Sequence, residues 1–184
     1  PYAATKASAD LLVRAWAKTY GLPAIVTNCS NNYGPWQYPE KFVPVIIKSA
    51  IQGKEIPVYG SGENIRDWLY VDDHVRALLK IVESDLEYTT FNIGANQEIS
   101  NLKLAELICS ILDSVHPRTD SISYKTQVNF VQDRLGHDFR YAINSDKLKN
   151  EMGISMESNL QGGVTKTVNW YLENRNWLFS KQNF

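Results

Sequence analysis

Apolar residues recur along this chain at two spacings, one near three and a half residues and one of short β-branched runs, and the two alternate. Over Tyr2–Tyr20 the positions Leu11, Leu12, Ala15 and Trp16 repeat at helical spacing, with Gly21 and Pro23 following as stop signals. Residues 24–29 form a short β-branched strand that empties through Ser30, Asn31 and Asn32 into a loop before Gly34 and Pro35. Phe42–Ile51 reads as a second helix closed by Gly53. Ile56–Tyr59 and Ile65–Tyr70 read as strands joined at Gly60, Ser61 and Gly62 by a glycine-bearing turn of the hairpin kind. Asp72 or Asp73 is expected to cap a helix carrying Val75, Leu78, Leu79 and Val82.

A strand over residues 90–93 precedes Gly94, and Ser100 or Asn101 then caps an amphipathic helix with Leu104, Ile108, Ile111 and Leu112 on one face. Residues 116–126 are polar and loop-like. Val128–Val131 and residues 139–143 read as strands flanking Asp133-Arg134-Leu135-Gly136-His137-Asp138, and helices over about 144–152 and 160–173 close the pattern. Alternating strands and helices predict an α/β fold, in which ligands bind at the carboxyl ends of strands. No G-x-G-x-x-G follows any strand.

Composition narrows the possibilities. At 184 residues, 43% hydrophobic and 21% charged, the chain can bury one ordinary core. Its 19 lysines and arginines against 20 aspartates and glutamates leave no overall field to gather nucleic acid or an anionic membrane, so any anion site must be local. Cys29 and Cys109, one in a strand-like and one in a helical run, read as buried thiols of a reducing compartment. No apolar stretch reaches membrane-spanning length and the first residues are not a signal peptide, so a cytoplasmic location is expected. The chain opens with Pro1 rather than methionine and runs straight into a helical pattern, which reads as a fragment or a processed product.

Tyr2 and Lys6 form a Y-x-x-x-K pair, a spacing that puts both side chains on one helix face. An ammonium beside a phenol favours the phenolate, making a tyrosine usable as a general base. Such a pair also arises by chance. Pro1-Tyr2-Ala3-Ala4-Thr5-Lys6-Ala7 with Asn31-Asn32-Tyr33-Gly34-Pro35, however, resembles the extended short-chain dehydrogenase/reductase superfamily. Further motifs, Thr27-Asn28-Cys29-Ser30 before that run, Pro39-Glu40-Lys41-Phe42-Val43-Pro44, Pro57-Val58-Tyr59-Gly60, Arg66-Asp67-Trp68-Leu69-Tyr70-Val71, Asp133 to Asp138 and Lys166-Thr167-Val168-Asn169-Trp170-Tyr171-Leu172, are together similar to the dTDP-glucose 4,6-dehydratases.

That resemblance implies the carboxy-terminal part of a Rossmann-like parallel-sheet fold, residues 1–184 combining a remnant of the dinucleotide-binding half with a small mixed α/β substrate-binding domain. It implies NAD as cofactor, dTDP-glucose as substrate and a homodimer pairing through a four-helix interface that includes the helix of Tyr2 and Lys6. Tyr2 would deprotonate the glucose C4 hydroxyl while hydride leaves C4 for NAD, and Lys6 would hold the nicotinamide ribose. Water is then eliminated across C5 and C6, and hydride returns to C6, giving dTDP-4-keto-6-deoxy-glucose, a precursor of rhamnose and other deoxysugars.

Further roles implied are Asn32 near the nicotinamide and Asn31 on the substrate, unless both asparagines only stabilise a turn. Lys41 and Phe42 would grip the nucleotide diphosphate region through backbone, unless they merely begin a solvated helix. Pro57, Val58 and Tyr59 would border the thymine. Arg66 and Arg134 are the diphosphate candidates, since a guanidinium fork makes paired charge-assisted bonds to phosphate; either could instead be a surface arginine. Asn101 would contact the nucleotide, with helix capping as the alternative, and His137 would border the ligand. Three scattered histidines argue against a metal site.

The family's glycine loop, ribose-binding acid and Asp-Glu acid/base pair have no counterpart here, so the chain alone is expected neither to bind NAD tightly nor to turn over. Competing readings are an NAD-dependent sugar-nucleotide epimerase or decarboxylase of the same superfamily, and a non-catalytic nucleotide-sugar-binding module.

Overall fold

The computed structural model describes residues 1–180. In chain order the elements are α1 (Tyr2–Tyr20), β1 (Ile25–Cys29), β2 (Asn31–Tyr33), α2 (Phe42–Ile51), β3 (Ile56–Tyr59), β4 (Ile65–Tyr70), α3 (Val71–Val82), β5 (Thr89–Ile93), β6 (Glu98–Ser100), α4 (Asn101–Val115), a 3₁₀ turn (Tyr124–Gln127), β7 (Val128–Val131), β8 (Arg140–Tyr141), α5 (Asp146–Met152), α6 (Leu160–Glu173) and α7 (Arg175–Leu178). This is the predicted α/β fold, with predominantly parallel pairing: β1 with β5, β2 with β4, β3 with β7 and β8 with β4, while β6 runs antiparallel to β4.

Two cores form. The larger gathers α2, α4 and α6 over β3 and β4, with Ile46, Ile47, Leu104, Ile108, Leu112, Val164, Val168 and Tyr171 fully buried. The smaller lies under β5, where Phe91 and Ile93 meet Ala77 and Ile81 of α3 and Leu148 of α5. At about 1.5–3 kcal/mol for each large apolar side chain removed from water, these clusters supply the main folding drive. Buried Asp67 of β4 joins them, accepting the Ala95 N–H at 3.0 Å and the Gln97 N–H at 2.8 Å in the connection from β5 to β6. Asp73 pairs with Arg76 and accepts the Ser158 N–H, fixing the approach to α6.

Several local expectations change. Asn31 and Asn32 lie in strand β2, because the register with β4 (Asn31 opposite Trp68, Asn32 opposite Leu69) supplies ladder bonds that a polar run would not secure alone. The turn at residues 60–64 makes no hairpin: β3 pairs with β7. Asp72 and Asp73 do not cap α3, whose N-cap is Tyr70; they stand in its first turn, where carboxylates complement the helix dipole. Ser100 caps α4 by accepting the Lys103 N–H. Only Arg140 and Tyr141 of residues 139–143 pair as strand, and α5 begins at Asp146. Cys109 is buried but Cys29 only half so, and both thiols are free.

Helix α1 buries only Ala17; Leu11 and Trp16 are 67% and 60% exposed. The helix is tied to β5 by Arg14 Nη2, which donates to Thr90 Oγ1 at 2.6 Å. No helix among the described residues is long and apolar enough to cross a membrane.

Candidate functional site

A cleft of about 400 Å³ opens where β2, β3, β4 and the starts of α2 and α4 meet the loop between β7 and β8. Strand alternation decides which side chains reach it. On β4, Arg66 and Trp68 share the cleft face; on β3, Pro57 and Tyr59 do, whereas Val58 between them is fully buried in the core. Val58 is thus a correction to the expected base-binding segment: its side chain cannot meet a ligand. Phe42 stacks on Trp68, ring centroids 6.0 Å apart and planes inclined by 24°, to make an apolar floor. Lys41, in extended backbone conformation, precedes α2, so the first N–H groups of the helix, which have no intrahelical partner, begin at the cleft.

Nine of the ten predicted substrate residues line this cleft: Asn31, Lys41, Phe42, Pro57, Tyr59, Arg66, Asn101, Arg134 and His137. With Ser100 as the N-cap, Asn101 is left free of that duty. Sequence reasoning missed Glu40, Val45 and Trp68. Trp68 could have been found from period two, being two residues beyond Arg66 on a strand; Val45 and Glu40 flank the Lys41-Phe42 pair at helical and sequential spacing.

The cleft is locally cationic. Lys41, Arg66 and Arg134 line it against one carboxylate, Glu40, which sits 3.4 Å from the Lys41 ammonium. Arg66 is buried; its Nη1 donates to the Ile65 carbonyl at 2.7 Å and its Nη2 to the Asp138 carbonyl at 2.8 Å. Burial lowers its guanidinium from the ordinary value, the Asp138 carboxylate opposing and the Arg134 charge adding to the fall. An arginine nonetheless stays charged, and two guanidiniums that repel each other across a cleft stabilise an anion between them. Arg134 lies over the Tyr59 ring, 5.4 Å from its centroid. The buried imidazole of His137 donates from Nδ1 to Asp133 at 2.7 Å.

Tyr2 and Lys6 stand apart from the cleft lining, one turn apart on α1, both exposed and without a side-chain partner among the described residues; Tyr2 is 77% exposed. Asn32, pointing away from its neighbour Asn31, is held internally. Its Nδ2 donates to Cys29 Sγ at 3.2 Å and the Ser30 carbonyl at 3.1 Å, and its Oδ1 accepts from His74 Nδ1 at 2.8 Å. Burial lowers the pKa of His74, which favours the neutral ring.

Known proteins resemble this chain over nearly all of its length. Residues 1–167 match the family model described as GDP-mannose 4,6 dehydratase. The chain is 51% identical over 178 residues to a dTDP-glucose 4,6-dehydratase of Shigella flexneri, covering 97% of this chain and 49% of that protein. It superposes on the dTDP-glucose 4,6-dehydratase of Bacillus anthracis str. Ames, solved in complex with NAD, with a TM-score of 0.86 and 44% identity, covering 96% of this chain and 53% of that one. The enzyme of the same name from Streptomyces venezuelae, also solved with NAD, gives a TM-score of 0.86 and 38% identity over 96% of this chain and 52% of that one. The chain spans about half the length of the curated relatives it matches. From its first residue to residue 167 it carries the pattern of the GDP-mannose 4,6 dehydratase family, and it belongs to that family.

Proposed function

We propose that these residues form the substrate-binding part of a dTDP-glucose 4,6-dehydratase. The observation that carries the reading is the cleft itself: residues from six separate segments of the sequence converge on one cationic groove, with an aromatic pair and a tyrosine beside it. Arg66 and Arg134 hold the diphosphate, Tyr59 and Pro57 border the base, the Lys41-Phe42 backbone meets the nucleotide and Asn31 faces the sugar. Glu40 and Asn101 complete the polar rim.

The free side chains of Tyr2 and Lys6 fit the nicotinamide riboside end of NAD, with Asn32 nearby; no glycine-rich loop of this chain fits its pyrophosphate. NAD held there would supply a hydride acceptor for oxidation of the sugar at C4 and a hydride donor for the later reduction. Tyr2 takes the proton of the C4 hydroxyl, and Lys6 holds the ribose. The acid and base for water loss are not among these residues, so we assign complete turnover to a protein of the relatives' full length. A second copy covers the exposed face of α1 to make a homodimer, and the two free thiols suit the cytoplasm.

The test is twofold. The full-length protein with NAD should convert dTDP-glucose to a 4-keto-6-deoxy product, identified by mass spectrometry and NMR, and Tyr2→Phe should lower kcat at least about 100-fold with dTDP affinity unchanged. Residues 1–184 alone should bind dTDP without turnover. Product formation undiminished in the phenylalanine variant sinks the assignment of Tyr2. Because the matching family model is named for a GDP-sugar enzyme, GDP competes as the second reading; stronger binding of GDP than of dTDP would favour it.

A further inference from the structure

Arg134 and His137 reach the cleft from the loop joining β7 to β8 rather than from a regular element, so something else must set their positions. The far end of that loop is fixed by strand-like bonds: Asn64 Nδ2 and Arg66 Nη2 both donate to the Asp138 carbonyl, and the Ile65 N–H donates to the Phe139 carbonyl at 2.7 Å. The near end depends on Asp133. Its Oδ1 accepts the Arg134 main-chain N–H at 2.8 Å and the His137 Nδ1–H at 2.7 Å. Its Oδ2 turns toward Gly60, where a Cβ would stand 2.9 Å from that oxygen and 3.2 Å from Asp133 Cβ. Gly60, at φ +58°, donates its N–H to the Val131 carbonyl and directly follows Tyr59, over whose ring Arg134 lies.

One carboxylate thereby braces the β7–β8 loop from within and packs closely against Gly60 at the end of β3. It does not line the cleft itself, as an anion site requires, since a carboxylate facing a diphosphate would repel it. The His137 hydrogen bond holds the Asp133 carboxyl below the usual carboxylate range, so it is ionised and acceptor-only at neutral pH.

We infer that Asp133 is a positioning residue of the anion subsite, setting Arg134 and His137 against the diphosphate of a nucleotide sugar without touching it. The inference rests on the nucleotide reading of the cleft. It separates binding of the phosphates from binding of the nucleoside, because Asp133 holds the Arg134 backbone and the His137 imidazole while Pro57 and the Phe42–Trp68 floor stay in place.

In the full-length protein, dTDP and thymidine binding should be measured by calorimetry or ligand-observed NMR for Asp133→Ala and Asp133→Asn. The alanine variant should bind dTDP about tenfold more weakly with thymidine binding unchanged, and the asparagine variant, whose amide oxygen still accepts both N–H groups, should recover most of the loss. Asp133→Ser, too short to span both donors, should follow alanine and replaces it should the alanine protein not fold. Equal weakening of dTDP and thymidine, or of neither, overturns the inference. Absence of dTDP binding in the unmutated protein sinks the nucleotide reading itself, and this inference with it.

Discussion

With Nη1 on the Ile65 carbonyl and Nη2 on the Asp138 carbonyl, the guanidinium plane of Arg66 is fixed before any ligand binds, and its remaining N–H groups are available to the cleft. A lysine has one compact ammonium and cannot hold two carbonyls while also presenting a fork to phosphate. Arg66→Lys should therefore weaken dTDP binding about tenfold or more by calorimetry and cost about 1 kcal/mol in denaturant unfolding, since the Ile65 and Asp138 carbonyls lose their guanidinium hydrogen bonds. Unchanged dTDP affinity would make Arg66 a structural residue only. At this scale the membership of the cleft was legible from the sequence, since Arg66, Arg134 and Tyr59, singled out by residue type and motif, line it together. What was not legible was orientation. Asn31 and Asn32 are chemically identical neighbours, and only the pairing of β2 with β4 sends the first to the cleft and the second into a network with Cys29, Ser30 and His74.

Among elements, the turn between β3 and β4 carries more constraint than its length suggests. Gly62 holds φ +74°, and a Cβ there would come within 2.7 Å of Val58 Cγ1 and 2.8 Å of Leu102 Cβ; its carbonyl accepts the Leu102 N–H, next to cleft residue Asn101. Gly53 has a similar φ of +66°, yet nothing lies within 4 Å of its missing Cβ. Gly53→Ala should therefore cost about 1 kcal/mol, the backbone penalty alone, while Gly62→Ala adds overpacking and should cost about 2–4 kcal/mol in chemical denaturation. Equal costs would mean that the packing around Gly62 yields freely. The same turn shows why a hairpin was expected and did not form: glycines report a local reversal, but the partner of β3 is β7, about seventy residues along, and local sequence does not encode that choice. Strands β2 and β6 escaped sequence reading for the same reason, since Asn31–Tyr33 and Glu98–Ser100 become strands through pairing with β4 rather than by propensity. The longer helices were legible nearly to the residue, because period 3.6 is a local signal, whereas the single turns at Tyr124–Gln127 and Arg175–Leu178 are too short to show it.

For the whole molecule, the apolar stripe that predicted α1 is the part left uncovered. Leu11, Leu12 and Trp16 are 60–67% exposed, and Val75, Leu79 and Val82 of α3 present a second stripe, 47–79% exposed. Helices whose apolar faces meet water gain little from folding, because packing rather than propensity supplies most helix stability. Burying Trp16 and two leucines against a partner would contribute several kcal/mol, at about 25 cal/mol per Å² of apolar surface. Residues 1–184 are accordingly expected to self-associate, with a sedimentation mass above that of one chain at micromolar concentration. Placing charge in the stripe with Leu12→Glu and Trp16→Glu should return the chain to a monomer, because an interfacial carboxylate without a partner costs more than the surface around it can recover. Neither position lines the cleft, so dTDP binding should survive in that monomer. A monomeric unmutated chain would show that α1 tolerates its exposure, whereas loss of dTDP binding together with association would mean that the α1 face and the cleft depend on each other.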